Sequence, residues 1–142
     1  MEKDNNCLYC TPNELQHELL IKICDMKVSS LFLFKEQSHL GRCVVAFHRH
    51  VNELYELNDE EQALFIHDIT DVAKILKKVF SPDKINYGAY SDKLGHLHFH
   101  LVPKYRDGLS FGSTFEMNPR KTYLSEQEYQ ELVEKIKKQL NT

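Results

Sequence analysis

The run His96-Leu97-His98-Phe99-His100-Leu101-Val102 puts a histidine at every second position and a large apolar residue in each gap. Successive side chains of a β-strand leave on opposite faces. The spacing therefore predicts a strand with His96, His98 and His100 on one side and Leu97, Phe99 and Leu101 on the other. One face belongs to a site and the other to the core. Imidazole titrates near pH ~6.5, so three on one surface offer a nucleophile, a proton donor or a metal ligand at neutral pH. A lone histidine on a strand is commonly just solvated or hydrogen-bonded, whereas three in phase with three apolar residues point to a site.

Outward from this run, 95–105 reads as the strand that carries it and 85–90 as the strand before it. Upstream the period changes. Asn58 can cap a helix with Glu61 in the reciprocal position, and Phe65, Ile69, Val72, Leu76 and Val79 follow at spacings of four and three until Ser81-Pro82-Asp83 ends it. Three Val- and Phe-rich or alternating segments, 19–25, 30–35 and 42–48, read as strands, with a polar loop over 36–41. Thr11-Pro12 would open a short helix through His17. After the histidines, the Gly/Ser/Asn/Pro-rich stretch 107–120 reads as a loop. A final helix starts at a Ser125–Glu128 capping box and buries Tyr129, Leu132, Val133, Ile136 and Leu140. Most strand-to-strand links are too short for crossovers. The expected class is α+β: a mainly antiparallel sheet, one long central helix and short helices at either end.

A chain of 142 residues, 42% of them hydrophobic, suffices for one core, so 1–142 is read as a single domain, with 107–142 the part least constrained by pattern. The net charge of -3 is spread without long blocks, and the longest basic cluster, Lys77-Lys78, falls on a helix surface, which argues against polymeric nucleic acid as a partner. The polar opening Met1-Glu2-Lys3-Asp4-Asn5-Asn6 leads into no apolar stretch. Neither a secretory signal nor a membrane span is expected, and the reading is of a cytoplasmic protein. Of four cysteines, Cys24 and Cys43 read as small buried residues. Cys7-Leu8-Tyr9-Cys10 is a pair that zinc, thiol redox chemistry and coincidence all produce, and a structural zinc site needs two further ligands. His17, His39, His48 and His67 are expected at the surface.

The His-x-His-x-His-x-x run, followed by Pro103-Lys104, resembles the signature of the histidine triad superfamily, and the order of elements is similar from Cys7 to about Lys104. The resemblance implies that family's fold, a homodimer and a purine nucleotide substrate, with AMP derivatives first. The bond broken would be that of a nucleoside phosphoramidate or a dinucleoside polyphosphate, through a nucleotidyl-histidine at His98. His100 would donate to a nonbridging oxygen or assist the leaving group. Asn86 matches a phosphate-binding asparagine, and Glu36 stands where an aspartate would accept ribose hydroxyls. Many members carry Gly-Gln or Gly-Ser before the triad. Here the segment is Ser91-Asp92-Lys93-Leu94-Gly95, so Ser91 or Lys93 would contact phosphate instead. Arg42 stands where some members place another pocket histidine. Bacterial members with a Cys-x-x-Cys pair complete a structural zinc site with positions that map onto His50 and His96, giving Cys7, Cys10, His50 and His96. Leu8, Ile23 and Phe34 are candidates for a base-pocket wall, and the loop 107–119, with Phe111, Phe115 and Asn118, for closing over the leaving group. Two other readings stay open: a nucleotide-binding sensor or adaptor without turnover, and a cupin-like enzyme with its histidines on a catalytic metal, which requires more strands and no long helix.

Overall fold

The computed structural model describes residues 7–93 and 95–140. The polar opening stretch 1–6 and Leu94 lie outside the described residues. In chain order the elements are α1 (Glu14–Leu19), β1 (Leu20–Asp25), β2 (Ser29–Phe34), β3 (Cys43–Phe47), α2 (Asp59–Phe80), β4 (Lys84–Gly88), β5 (His98–Lys104) and α3 (Glu126–Leu140). A single 3-10 turn, Leu54–Glu56, precedes α2. The strands form one antiparallel sheet in the order β1-β2-β3-β5-β4. The fold is α+β with a long central helix, and its single open sheet rules out a cupin-like barrel.

Residues paired across an antiparallel ladder share a face. Phe32 pairs with Val44, Val44 with His100, Ala46 with His98, Gly88 with His100 and Asn86 with Val102. The register therefore places Phe32, Val44, Ala46, Asn86, Gly88, His98 and His100 on one surface of the sheet. The other surface, with Leu31, Leu33, Cys43, Val45 and Leu101, packs under Phe65, Val72 and Leu76 of α2 and Leu132 and Ile136 of α3. Full burial of each such side chain contributes roughly 1.5–3 kcal/mol. Asp68, buried on α2, accepts hydrogen bonds from Val28 N and Ser29 Oγ and pins the helix to the start of β2.

The helix signals act as expected for α2. Asn58 Oδ1 accepts from Glu61 N at 2.8 Å, Glu61 Oε1 accepts from Asn58 N at 3.0 Å, and Ser81 ends the helix in the left-handed conformation at φ 51°. The Ser125–Glu128 box likewise opens α3. Other expectations are corrected. α1 starts at Glu14 because Asn13, not Thr11, caps it by accepting from Gln16 N. α3, with 15 residues, is shorter than α2, with 22. Cys24 is only half-buried, and Ile23 sits in the core beneath the helices, away from the histidine face. The triad strand begins at His98 rather than at 95, because the preceding backbone is diverted. Leu97 N donates to Val51 O and Leu97 O accepts from Phe47 N.

Between β5 and α3 the chain returns over the end of the histidine face. Tyr105 Oη donates to Leu40 O, Gln37 N to Thr122 O, and Lys121 N and Thr122 N both donate to Glu36 Oε2 at 2.7 Å. No helix among the described residues is long and apolar enough to cross a membrane.

Candidate active site and metal cluster

The three histidines fall into two groups by their neighbours. His96, just before β5, keeps the alternation with Leu97 on the core side and points its Nδ1 into the N-terminal segment, at 3.2 Å from Cys7 Sγ, 3.4 Å from Cys10 Sγ and 3.1 Å from His50 Nδ1. Cys10 Sγ lies 3.1 Å from His50 Nδ1, and the four ligand atoms all fall within 4.8 Å of one another. His96 Nε2 sits 2.6 Å from the carbonyl of Phe47. A carbonyl only accepts, so the proton is on Nε2 and Nδ1 presents a lone pair. A hydrogen-bonded outer nitrogen is the usual arrangement that orients a metal-binding histidine. A tetrahedral ion with thiolate and imidazole ligands would space their atoms roughly 3.3–3.8 Å apart. Two sulfurs and two imidazole nitrogens at these separations therefore fit one metal ion. The cluster expected from Cys7, Cys10, His50 and His96 is assembled.

His98 and His100 remain on the sheet face, their ring centroids 5.2 Å apart and their planes at 70°. His98 Nδ1 is 2.7 Å from the carbonyl of His96 and 3.1 Å from Ser91 Oγ, which itself donates to that carbonyl at 3.0 Å. By the same reasoning Nδ1 carries the proton, and Nε2 is left with its lone pair. Burial lowers the His98 pKa, partly opposed by the His96 carbonyl, and so favours the neutral ring. A neutral imidazole with a fixed tautomer and one free nitrogen is chemically a nucleophile.

Around this pair the structure brings groups to which the sequence reading gave no role, or a different one. Tyr9, the residue between the two cysteines, lies over His98 with ring centroids 4.5 Å apart and 35° between the planes. Its hydroxyl is held protonated because burial raises its pKa. Arg42, 0% exposed, places its Cζ 4.0 Å from the centroid of the Phe34 ring and its Nη2 3.1 Å from His100 Nδ1. His39 was expected at the surface and is instead 1% exposed, packed edge-on against Phe115, with no hydrogen-bond partner for its Nε2. The returning C-terminal segment packs over the loop 35–42 and buries Glu36, Gln37, His39 and Arg42, while Leu40 stays exposed. Charge and spacing gave no sign of this, since Arg42 and Met117 are 75 positions apart. His17 and His67 are exposed and His48 is partly exposed.

The remaining expected residues divide. Ser91 joins His98 as described. Asn86 is half-buried on the histidine face and lines a shallow cavity with Tyr90 and Phe115, about 400 Å³ in volume. Lys93 is exposed. Glu36 is buried, and its carboxylate already accepts from Ser38 N, Ser38 Oγ, Lys121 N and Thr122 N. Burial pushes its pKa up, but these hydrogen bonds prevail and hold it below the ordinary value. Leu8 and Phe34 pack together on the histidine face. Phe115 stands 6.3 Å from His100, while Phe111 and Asn118 are exposed. Gly88 makes room for Tyr90, whose ring would lie 2.7 Å from an added Cβ.

One antiparallel sheet presents the imidazoles of His98 and His100 beside a Cys₂His₂ cluster within an α+β domain. Residues 22–107 match the family model described as the HIT domain. The chain belongs to the histidine triad (HIT) family, and the clustered histidines support an enzymatic function. It is 28% identical over 90 residues to Protein hit of Bacillus subtilis (strain 168), a match covering 60% of this chain and 62% of that protein. It is 26% identical over 121 residues to adenosine 5'-monophosphoramidase hnt1 of Schizosaccharomyces pombe, covering 82% of this chain and 85% of that one. A crystal structure of a histidine triad protein from Sinorhizobium meliloti 1021 superposes with a TM-score of 0.83 at 21% identity, over 92% of this chain and 96% of the other. That of Plasmodium falciparum diadenosine triphosphate hydrolase gives 0.63 at 14% identity, over 84% and 76%. At these identities the solved structures establish the fold alone.

Proposed function

We propose that this protein hydrolyses the bond between a purine nucleoside monophosphate and its leaving group, through a nucleotidyl intermediate on His98. The observation that carries the reading is the hydrogen bond of His98 Nδ1 to the His96 carbonyl, which leaves Nε2 as the one unprotonated nitrogen of a buried neutral ring. That nitrogen attacks the α-phosphorus, the P–N or P–O bond to the leaving group breaks, and the leaving group takes up a proton from solvent. Water then attacks the P–N bond to His98 and releases the monophosphate. Dividing one displacement into two is the general gain from covalent catalysis, and donors on the nonbridging oxygens lower the barrier at phosphorus. His100 is assigned as such a donor, with Asn86, Ser91 and Lys93 as phosphate contacts. Glu36 is the candidate for the ribose side.

The monophosphoramidase activity in the fission-yeast relative's name favours an amine leaving group, as in an adenosine phosphoramidate, over the phosphate of a dinucleoside polyphosphate. The Cys₂His₂ donor set favours zinc, with a structural role, since four protein ligands would close its shell. We also expect a homodimer.

The decisive experiment supplies adenosine 5'-phosphoramidate and a diadenosine polyphosphate, each labelled at the α-phosphorus, and quenches in alkali, where a phosphorus–nitrogen adduct survives. Label should reside on the wild-type chain and be lost in His98→Asn, which should still bind nucleotide. Label that persists in His98→Asn would exclude His98 as the nucleophile. Nucleotide bound with neither label nor turnover in the wild type would leave the non-catalytic binding module.

A further inference from the structure

Arg42 is a buried cation with no carboxylate among its hydrogen-bond partners within the described residues. Its Nη1 donates to Met117 O at 2.8 Å, its Nη2 contacts Met117 Sδ at 3.1 Å and His100 Nδ1 at 3.1 Å, and its Nε has no partner. The guanidinium lies 4.0 Å over the Phe34 ring and 5.3 Å from that of Phe115. These contacts leave it little freedom, and its burial is costly unless the charge serves a purpose.

The chemistry of the contact with His100 has one solution. Guanidinium is donor-only and does not give up its proton in the physiological range, so His100 Nδ1 must accept. The neutral ring then carries its proton on Nε2. His98, fixed by a carbonyl, carries its proton on Nδ1. We infer that Arg42 is a positioning residue that locks His100 in the Nε2–H tautomer, opposite to that of His98, so that neighbouring rings present one lone pair and one donor to the same phosphate. A histidine at position 42 could give or take a proton and would leave the tautomer of His100 undetermined. Arginine only gives. Burial, with the charge of Arg42, also pushes the His100 pKa far down, in keeping with a ring that stays neutral. His100 is then a hydrogen-bond donor to a nonbridging oxygen rather than an imidazolium acid for the leaving group.

This inference rests on the nucleotidyl-transfer reading for its purpose, but its test does not. Proton–nitrogen correlation spectra of protein labelled with ¹⁵N-histidine distinguish the two neutral tautomers and the cation in the absence of substrate. Wild-type His100 should appear as the neutral Nε2–H form from pH 6 to 8. Arg42→Met should release it into a mixture of forms, and Arg42→Lys, which keeps a donor, should restore the wild-type signature. With substrate, Arg42→Met should lower kcat about 100-fold, the scale of losing one oriented donor, with KM changed less than about threefold. Arg42→Leu, which likewise has no donor, replaces Arg42→Met if the latter does not fold, as judged by amide resonances of α2. A wild-type His100 that is cationic or protonated on Nδ1 overturns the inference even if His98 is the nucleophile. The expected tautomer with no turnover of any nucleotide keeps the lock and removes its catalytic purpose.

Discussion

Tyr9 covers His98 at 4.5 Å between ring centroids, and the same tyrosine is strung between the two thiols of the metal cluster, Cys7 and Cys10. The cluster thus places an aromatic ring on the proposed nucleophile. Tyr9→Phe should retain near wild-type turnover, because the contact uses the ring. Tyr9→Ala should lower kcat about tenfold through looser orientation of His98. The ring-current displacement of the His98 carbon-bound protons, read by NMR, should vanish in the same variant. Wild-type kcat with unmoved His98 resonances in Tyr9→Ala would show that the stacking is incidental.

Metal removal should act on stability before it acts on the sheet. Four ligands from three separate segments tie the N-terminal stretch to the loop after β3 and the approach to β5. Elemental analysis should find one zinc per chain in the wild type and none in Cys10→Ser. That variant should lose about 3 kcal/mol and melt about 10 °C lower, while keeping its secondary structure, because the core under α2 and α3 does not involve the ion. Equal melting temperatures with and without chelator would argue against a resident metal.

Glu36 tests two assignments against each other. If its carboxylate chiefly holds Lys121 and Thr122, Glu36→Gln should cost about 2 kcal/mol at pH 7 and speed amide exchange at those two residues. Its folded-state pKa lies below the unfolded one. The stabilisation is therefore fully present above the unfolded value near ~4.3 and is lost as pH falls through the folded value. If Glu36 instead serves ribose, Glu36→Gln should raise KM for the nucleotide and leave exchange and stability unchanged.

His39 carries the opposite sign of usefulness. Burial, then the nearby charges of Arg42 and Lys104, lower its pKa in the folded chain, so the unfolded chain takes up a proton first as pH falls below about 6.5. Replacing it by Phe removes both this proton uptake and the orphaned Nε2. Chemical denaturation should show His39→Phe stabilised by about 1 kcal/mol at pH 7, with a shallower loss of stability toward pH 5 than the wild type. An identical pH slope in the two proteins would exclude His39 as an acid-labile site.

Local signals with a fixed period were legible in the sequence. The Asn58–Glu61 box, the four-and-three stripe of α2 and the alternation of His98, Phe99, His100 and Leu101 all depend on neighbours within one element. The metal cluster was reached through a resemblance, since nothing local links Cys7 to a histidine 89 positions later. The burial of Arg42, His39 and Glu36 was not legible. Each is a polar side chain in a loop, which normally faces water. Their burial is created by residues 115–122 returning over that loop, a tertiary event with no periodic signature. The break in the strand before His98 was hidden for a related reason, because the pull on His96 comes from the carbonyl of Phe47 and from the N-terminal cysteines.

The separation between Cys7 and His96 also orders events while the chain is being made. A ribosome releases the two thiols long before their last imidazole partner exists, so the four-ligand set is incomplete until His96 has emerged. Until then Tyr9 has no His98 to cover. A nascent or truncated polypeptide would expose its thiols without the capacity for turnover, and competence would arrive in one step near the end of translation.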